Sequence, residues 1–202
     1  MRRVWPLALL LMVTGCATVA ERAYYPNPAD PETRVLAEAL WRAAKAASDD
    51  PGEYSFAMIR TRKVSAYTVE DATFYFTQGL ARQPAKIIDA LVAHEVAHEV
   101  LGHIGERRAL SLSPGAGLLD FVADPLIVRA FTRDQEIAAD LKAVQILRDM
   151  GYESPRRAMA EALRAAAKVN GPLRGGWLAA KPTLEDRLSR LEPLEAEKQA
   201  AQ

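Results

Sequence analysis

The sequence predicts an α+β fold that is mainly helical and includes a small three-stranded sheet. The hydrophobic period is two between residues 54 and 77, which is typical of short strands. Helical spacing or continuous apolar runs occupy 31–48, 87–101 and 134–150. At 202 residues, half of them apolar, the chain is long enough for one domain with a substantial core.

The charge balance and the loops exclude two classes of function. Lys and Arg together number 26, and Asp and Glu together also number 26. The chain therefore lacks the excess of basic residues that would indicate nucleic-acid binding. The sequence also contains no internal repeat and no Gly-rich phosphate loop.

The first 15 residues have the pattern of a secretion signal. Arg2 and Arg3 precede an apolar run from Val4 to Val13, which is shorter than the about 20 residues of a membrane-spanning helix. The segment Val13-Thr14-Gly15-Cys16 resembles the lipobox of bacterial lipoproteins. This resemblance implies lipidation of Cys16, and the absence of aspartate at Ala17 favours the inner leaflet of the outer membrane. A chance thiol in an ordinary signal peptide is the alternative.

A Pro-rich tether over residues 16–30 leads into a domain that we expect to cover 31–198. Asp30 is the predicted N-cap of a helix that begins at Pro31 and ends near residues 48–52. Three short strands follow, around Tyr54 to Met58, from Val64 to Val69 and from Thr73 to Thr77.

A helix with two histidines and a glutamate comes after the predicted sheet. His94 and His98 are four residues apart, so both lie on one face of a helix and can bind one metal ion. Glu95 lies beside that face, where it can act as a base on a water molecule. The alternative is an accidental spacing on a helix surface, but the neighbours from Ile87 to Leu101 are apolar almost all round, as in a buried helix.

A second helix, starting near Asp134, supplies a candidate third ligand. Glu136 and Asp140 share one face, and a carboxylate commonly completes a two-histidine zinc site. We expect Glu136 to bind the metal and Asp140 to orient a ligand histidine. Otherwise the two form a solvated acidic stripe that pairs with Arg133 or Lys142.

These motifs together resemble a known peptidase family. The pattern His94-Glu95-x-x-His98 with His103 five residues on, followed by the segment 132–140, looks like the CAAX prenyl protease, HtpX and BepA family of gluzincin metallopeptidases. The resemblance covers about Val64 to Leu191. It implies a zincin-like fold, one zinc ion per chain bound by His94, His98 and Glu136, and Glu95 as general base and later acid.

The chain departs from the family pattern at two places. The family has an Asn-Ala-aromatic segment on the sheet edge, where substrate adds as a strand, and here that segment reads Ser65-Ala66-Tyr67. The family also has a histidine before the final helix, where this chain has Lys181. Lys181 is a candidate stabiliser of the oxyanion, although a flexible ammonium need not hold that geometry.

His103 raises the question of a different metal site. Metzincins use a third histidine six residues after the second, whereas His103 is five residues after His98, which excludes that class. In a continuous helix His103 would point about 140° away from His98. We therefore expect a structural or supporting role for His103, and the alternative is a metal ligand.

The sequence thus predicts a lipid-anchored periplasmic zinc endopeptidase that acts on unfolded or misassembled envelope proteins. A non-catalytic chaperone or assembly factor with the same zinc fold is the alternative, and a purely structural zinc protein is a third. The apolar segment 118–131 is predicted to be either a lid over the zinc cleft or a further core helix.

Overall fold

The computed structural model describes residues 23–70, 72–106, 131–171 and 182–196. The predicted signal peptide, Cys16 and Lys181 lie outside the described residues. The described elements are, in chain order, β1 (Ala23–Tyr24), α1 (Pro31–Ala46), β2 (Ser55–Ile59), β3 (Ala66–Glu70), β4 (Thr73–Thr77), α2 (Gln78–Ala81), α3 (Ala85–Val100), α4 (Arg133–Asp149), α5 (Pro155–Asn170) and α6 (Leu184–Leu191). This α+β content confirms the predicted class.

Within these described ranges the sheet has four strands, so the prediction of three was wrong. The strand order is β1-β2-β4-β3, with β2 and β4 parallel and the outer pairs antiparallel. The additional strand is β1, which pairs Ala23 with Ile59 and Tyr24 with Met58 and belongs to the segment predicted as tether. Two residues are too few to produce an alternating pattern, which explains why β1 was not predicted.

The helix ends follow the expected capping chemistry. Asp30 accepts a hydrogen bond of 3.1 Å from the Glu32 amide, so it caps α1 as predicted. Thr183 and Asp186 form a capping box at the start of α6. Arg133 of α4 donates to Asp186 over 2.6 Å and thereby joins the first turns of α4 and α6.

Helix α3 lies at the centre of the core. It packs against α1, α4, α5 and β3, and its residues are buried without interruption from Ile87 to His98. This confirms the prediction of a helix that is apolar all round, and it explains why polar groups on α3 need partners from other elements. Among the described residues, no helix combines the length and apolar character that crossing a bilayer requires.

The loop between β2 and β3 contacts α2 at a glycine. The Gly79 amide donates to the Thr61 carbonyl over 3.0 Å. A β-carbon on Gly79 would lie 2.2 Å from the Lys63 carbonyl oxygen and 2.3 Å from that of Arg62. Since both atoms are backbone, only glycine allows this approach, which fixes the chain just before β3.

Gly79→Ala should destabilise the fold because the loop before β3 must move away. We expect a loss of about 1–3 kcal/mol in the free energy of unfolding, the usual range for overpacking. Urea denaturation at fixed zinc concentration measures this loss. Gly105→Ala is the matched control, because a β-carbon at Gly105 would meet no atom within 4 Å. Equal stability of the two variants would contradict the interpretation.

Candidate metal centre

His94 and His98 of α3 meet Glu136 of α4 in the interior. The Nε2 atoms of the two histidines are 3.1 Å apart, and His94 Nε2 is 3.4 Å from Glu136 Oε2. All three residues are buried, and one ligand atom from each lies within 4.8 Å of the others. This group can hold a metal ion.

The far side of His94 is bound by Asp140, one turn after Glu136 on α4. His94 Nδ1 lies 2.9 Å from Asp140 Oδ1. When Nδ1 donates its proton to this carboxylate, the lone pair of Nε2 points toward His98 and Glu136. A carboxylate that fixes the tautomer of a ligand histidine in this way is usual at zinc sites.

His98 is supported by another histidine. His98 Nδ1 is 3.0 Å from His103 Nδ1, so one ring donates to the other. The expected direction of His103, away from His98, does not hold because α3 ends at Val100. Gly102 has a φ of 71°, and this left-handed conformation changes the direction of the chain after α3. The ring of His103 therefore contacts the ring of His98.

The donors fit a cation. Two imidazole lone pairs and a carboxylate oxygen that converge in a buried space repel one another unless a positive charge lies among them. In the metal-free protein a proton fulfils this role. Burial lowers the pKa of His94, but hydrogen bonds to Asp140 and Glu136 outweigh it and raise the pKa to about 9. Burial lowers the pKa of His98 to about 2.

Glu136 is ionised in this environment. Burial raises the pKa of Glu136. The hydrogen bond from His94 and the nearby positive charges lower this pKa by a larger amount, so that it is about 2. A carboxylate with two neutral imidazoles is the ligand set that zinc takes in catalytic sites. The donor chemistry of these three residues therefore suits zinc.

Arg187 of α6 is a site residue that the sequence reasoning missed. Its Nε donates to Asp140 Oδ2 over 2.7 Å and its Nη2 to Asp140 Oδ1 over 2.5 Å. Nη2 is also 3.3 Å from His94 Nδ1, and Nη1 is 3.5 Å from Glu136 Oε2. Burial alone raises the pKa of Asp140, but these contacts with Arg187 hold it below its usual range.

The sequence did contain a signal for Arg187. Leu184, Leu188 and Leu191 form the inner stripe of α6 at helical spacing, and Arg187 occupies a position in that stripe. An arginine among core positions requires a buried acid as partner. Asp140 is that acid, on a helix for which the sequence had already suggested a site.

Glu95, the predicted base, is buried next to the ligand group on α3. The Thr68 hydroxyl of β3 donates to Glu95 Oε2 over 2.7 Å and lies 3.2 Å from the Glu95 carbonyl oxygen. Thr68 itself is almost completely buried. The contact connects Glu95 to β3, the strand that begins within the predicted edge segment.

The predicted edge segment Ser65-Ala66-Tyr67 leads into β3. Since the sheet order ends in β3, this strand has β4 on one side only, as far as the described residues go. The strand was predicted to begin at Val64, but β3 begins two residues later, at Ala66. Ser65 therefore precedes the strand, and Ala66 and Tyr67 are its first two residues.

Phe131 covers one face of His98. The two rings stack with centroids 3.6 Å apart and planes 14° apart, and Phe131 is buried. Of the segment 118–131, predicted as lid or core helix, Phe131 alone lies within the described residues. Its position excludes water from that face of the imidazole.

Two comparisons of the sequence with known proteins found no relative. No protein-family model matches the chain, and a search of curated proteins found no match.

Arg187→Met should destabilise the protein strongly, because Asp140 would keep a buried charge without its guanidinium. We expect a loss of about 3–5 kcal/mol in the free energy of unfolding, together with weaker zinc binding. Chemical denaturation and zinc titration measure the two effects. The control is Arg190→Met on the exposed side of α6, which should change stability by less than about 0.5 kcal/mol.

The metal-free protein should lose stability as pH rises from 6.5 to 9. The pKa of His94 is about 9 in the folded protein and about 6.5 when unfolded, so its contribution is complete below 6.5 and disappears as pH passes 9. The difference amounts to at most about 3 kcal/mol. Urea denaturation in the presence of a chelator measures it. His94→Gln should show a flatter profile over this interval, and an unchanged slope would contradict the assignment.

Proposed function

We propose that this protein is a zinc-dependent endopeptidase with a zincin-like fold. The observation that carries the proposal is the placement of Glu95 next to a buried His94, His98 and Glu136 group, with its carboxylate fixed by Thr68 at a sheet edge. The resemblance to the CAAX prenyl protease, HtpX and BepA family supports the same reading of these residues.

The three ligand residues define what a metal would contribute. A zinc ion held by His94, His98 and Glu136 would polarise a peptide carbonyl and make a water molecule acidic enough to lose its proton near neutral pH. Asp140 stabilises the His94 tautomer in which the lone pair of Nε2 points toward the other ligands. His103 makes a hydrogen bond with His98 Nδ1, on the opposite side of that ring from Nε2. Arg187 holds Asp140 ionised and in place.

Glu95 performs the proton transfers. Its carboxylate takes the proton of the attacking water and later gives it to the leaving amine. The Thr68 hydroxyl restricts Glu95 to one rotamer, so that the carboxylate is oriented before substrate arrives. Because the hydrogen bond comes from β3, the base and the strand next to it keep a constant relative position.

The position of β3 at the end of the sheet, as far as the described residues go, suggests how substrate is bound. We propose that an extended peptide pairs along this strand through main-chain hydrogen bonds, as in the resembled family, and so lies near Glu95. Such binding requires unfolded chain, since a folded protein seldom offers a free strand. We therefore propose unfolded or misassembled envelope proteins as substrates and envelope quality control as the role.

A non-catalytic chaperone or assembly factor is the second candidate. The feature in its favour is Lys181, which replaces the histidine that the resembled family has before its final helix. The same strand edge would then hold envelope proteins without cleaving them. The two candidates differ in whether the Glu95 carboxylate is needed.

Glu95→Gln should abolish hydrolysis of β-casein while the protein keeps about one zinc per chain, because the amide cannot take a proton but leaves the ligands untouched. Metal analysis and product detection by mass spectrometry measure the two effects. Glu99→Gln, one turn further along α3 and outside the ligand group, is the control and should cleave like the wild type. Cleavage by Glu95→Gln at the wild-type rate would exclude the peptidase mechanism.

The second part of the proposal is attachment to the outer membrane through Cys16. Cys16→Ala should move the protein from the membrane fraction to the soluble periplasmic fraction, or leave an unprocessed precursor. Metabolic labelling with a fatty acid, followed by fractionation, measures this. A wild-type protein that carries no acyl chain would contradict the lipoprotein assignment.

A further inference from the structure

The loop between β2 and β3 carries three basic residues, Arg60, Arg62 and Lys63. All three are exposed, and none of them makes an ion pair with another described residue. The Cζ atom of Arg60 lies 4.7 Å from the centroid of the Tyr24 ring in β1. The loop 60–63 therefore concentrates positive charge in a chain whose formal net charge is zero.

The predicted tether enters the sheet next to this loop. Strand β1 is antiparallel to β2, and its first residue, Ala23, pairs with Ile59, the last residue of β2. The chain that precedes Ala23 therefore meets the sheet beside Arg60. Cys16 lies seven residues before Ala23. A chain of that length spans at most about 25 Å, so a lipid on Cys16 would keep the loop within about that distance of the bilayer.

The other end of β2 carries the opposite charge. Asp49, Asp50 and Glu53 precede the first residue of the strand, whereas the basic residues follow its last one. A strand of five residues is about 16 Å long, which exceeds the Debye length at physiological salt. A surface of anionic lipid would therefore attract the end of the sheet at which the tether enters and repel the other end.

From these observations we propose that the loop 60–63 binds anionic phospholipid headgroups of the membrane to which Cys16 is attached. The inference rests on the proposed lipid attachment. Basic residues next to an anionic bilayer are attracted to its surface, and each Lys or Arg adds to the affinity. Because the tether keeps the loop near the bilayer, the contact is intramolecular and forms at a modest intrinsic affinity.

The loop is held in position by contacts at both of its ends. The Gly79 amide donates to the Thr61 carbonyl over 3.0 Å, and the Lys63 amide donates to Thr61 Oγ1 over 3.3 Å. The side chain of Asn170 accepts from the Val64 amide over 2.9 Å and donates to the Val64 carbonyl over 2.7 Å. The main chain of the loop therefore needs little further ordering when the headgroups bind.

An exposed tyrosine and a paired arginine complete this end of the sheet. Tyr25 follows Tyr24 in the chain and is 90% exposed. Tyrosine is enriched at membrane–water interfaces, where its ring lies at the level of the headgroups. Arg82, which follows α2, donates to Glu32 over 2.7 Å, so this pair adds no net charge to the basic loop.

The contact gives the domain a defined orientation on the membrane. Strand β4 ends at this side of the sheet, where Thr77 pairs with Ile59, and β3 is antiparallel to β4. Strand β3 therefore leads away from the bilayer. Thr68, which binds Glu95, is five residues after Lys63, so at most about 18 Å of chain separates the two. The candidate metal centre is thereby held close to the membrane surface.

The test measures partition of the protein to vesicles. All chains carry Cys16→Ala and are purified from the soluble periplasmic fraction, so that no acyl chain contributes. The vesicles contain phosphatidylcholine alone or with phosphatidylglycerol, an anionic lipid. We expect binding to the mixture at about 0.1 M salt and loss of binding at about 1 M salt, where the Debye length falls to about 3 Å.

The combined variant Arg60→Gln, Arg62→Gln and Lys63→Gln should lower the partition to the anionic vesicles about 100-fold, a factor of about five for each charge. The double variant Arg62→Gln and Lys63→Gln keeps the contact of Arg60 with Tyr24 and should lower the partition about 25-fold. It replaces the triple variant if the latter does not fold.

The matched control combines Lys45→Gln, Arg148→Gln and Arg164→Gln. These side chains are exposed on α1, α4 and α5, and the control loses the same net charge as the triple variant at other places. It should bind the anionic vesicles like the unsubstituted chain.

Three results would overturn the inference. They are an equal partition of loop variant and control, binding that does not require phosphatidylglycerol, and a loop variant that cleaves casein more slowly while it still binds the vesicles, which would assign the loop to substrate. Fatty-acid labelling of the wild type tests the anchor separately. If the wild type is acylated and the loop variant binds vesicles normally, the anchor stands and the inference is wrong. If the wild type is not acylated, the anchor is wrong, and the inference, which requires it, is wrong as well.

Discussion

The buried ion pair between Asp140 and Arg187 is the interaction on which the rest of the site depends. It joins α4 to α6, and through the 2.9 Å contact of Asp140 with His94 it joins both to α3. Each member needs the others, because an unpartnered charge in this interior would cost several kcal/mol. Glu136 lies one turn before Asp140, so the ion pair that closes the core also places the third residue of the group that can hold a metal ion.

This arrangement explains how the buried part of an apolar helix can carry the three site residues His94, Glu95 and His98. On α3, His94 faces Asp140 and Glu136, His98 faces His103 and Phe131, and Glu95 faces Thr68. Each polar side chain is thus met by a different part of the chain. The folded state therefore brings the ligand atoms together before any metal binds, which is the condition for a site with fixed geometry.

The sequence was most informative where a short-range rule determines the structure. Helix periodicity predicted α1, α3 and α4, capping chemistry predicted the role of Asp30, and i, i+4 spacing placed the two histidines together. It failed where the outcome depends on distant partners or on one backbone angle. Strand β1 depends on pairing with β2, Arg187 on a partner 47 residues away, and the return of His103 on a positive φ at Gly102.

The ion pair also limits what the final helix can contribute to chemistry. Arg187 is buried in α6, and its guanidinium is bound to Asp140, 3.3 Å from His94 Nδ1 and 3.5 Å from Glu136 Oε2. These contacts commit the guanidinium to the candidate metal centre. In the peptidase that we propose, Lys181 takes the place of the histidine of the resembled family, and a flexible ammonium is a less rigid donor to the oxyanion. Loss of one such donor lowers kcat by about 10²–10³ in a peptidase. If the protein is the peptidase that we propose, we therefore expect slow turnover, which is the property that it would share with the proposed chaperone alternative.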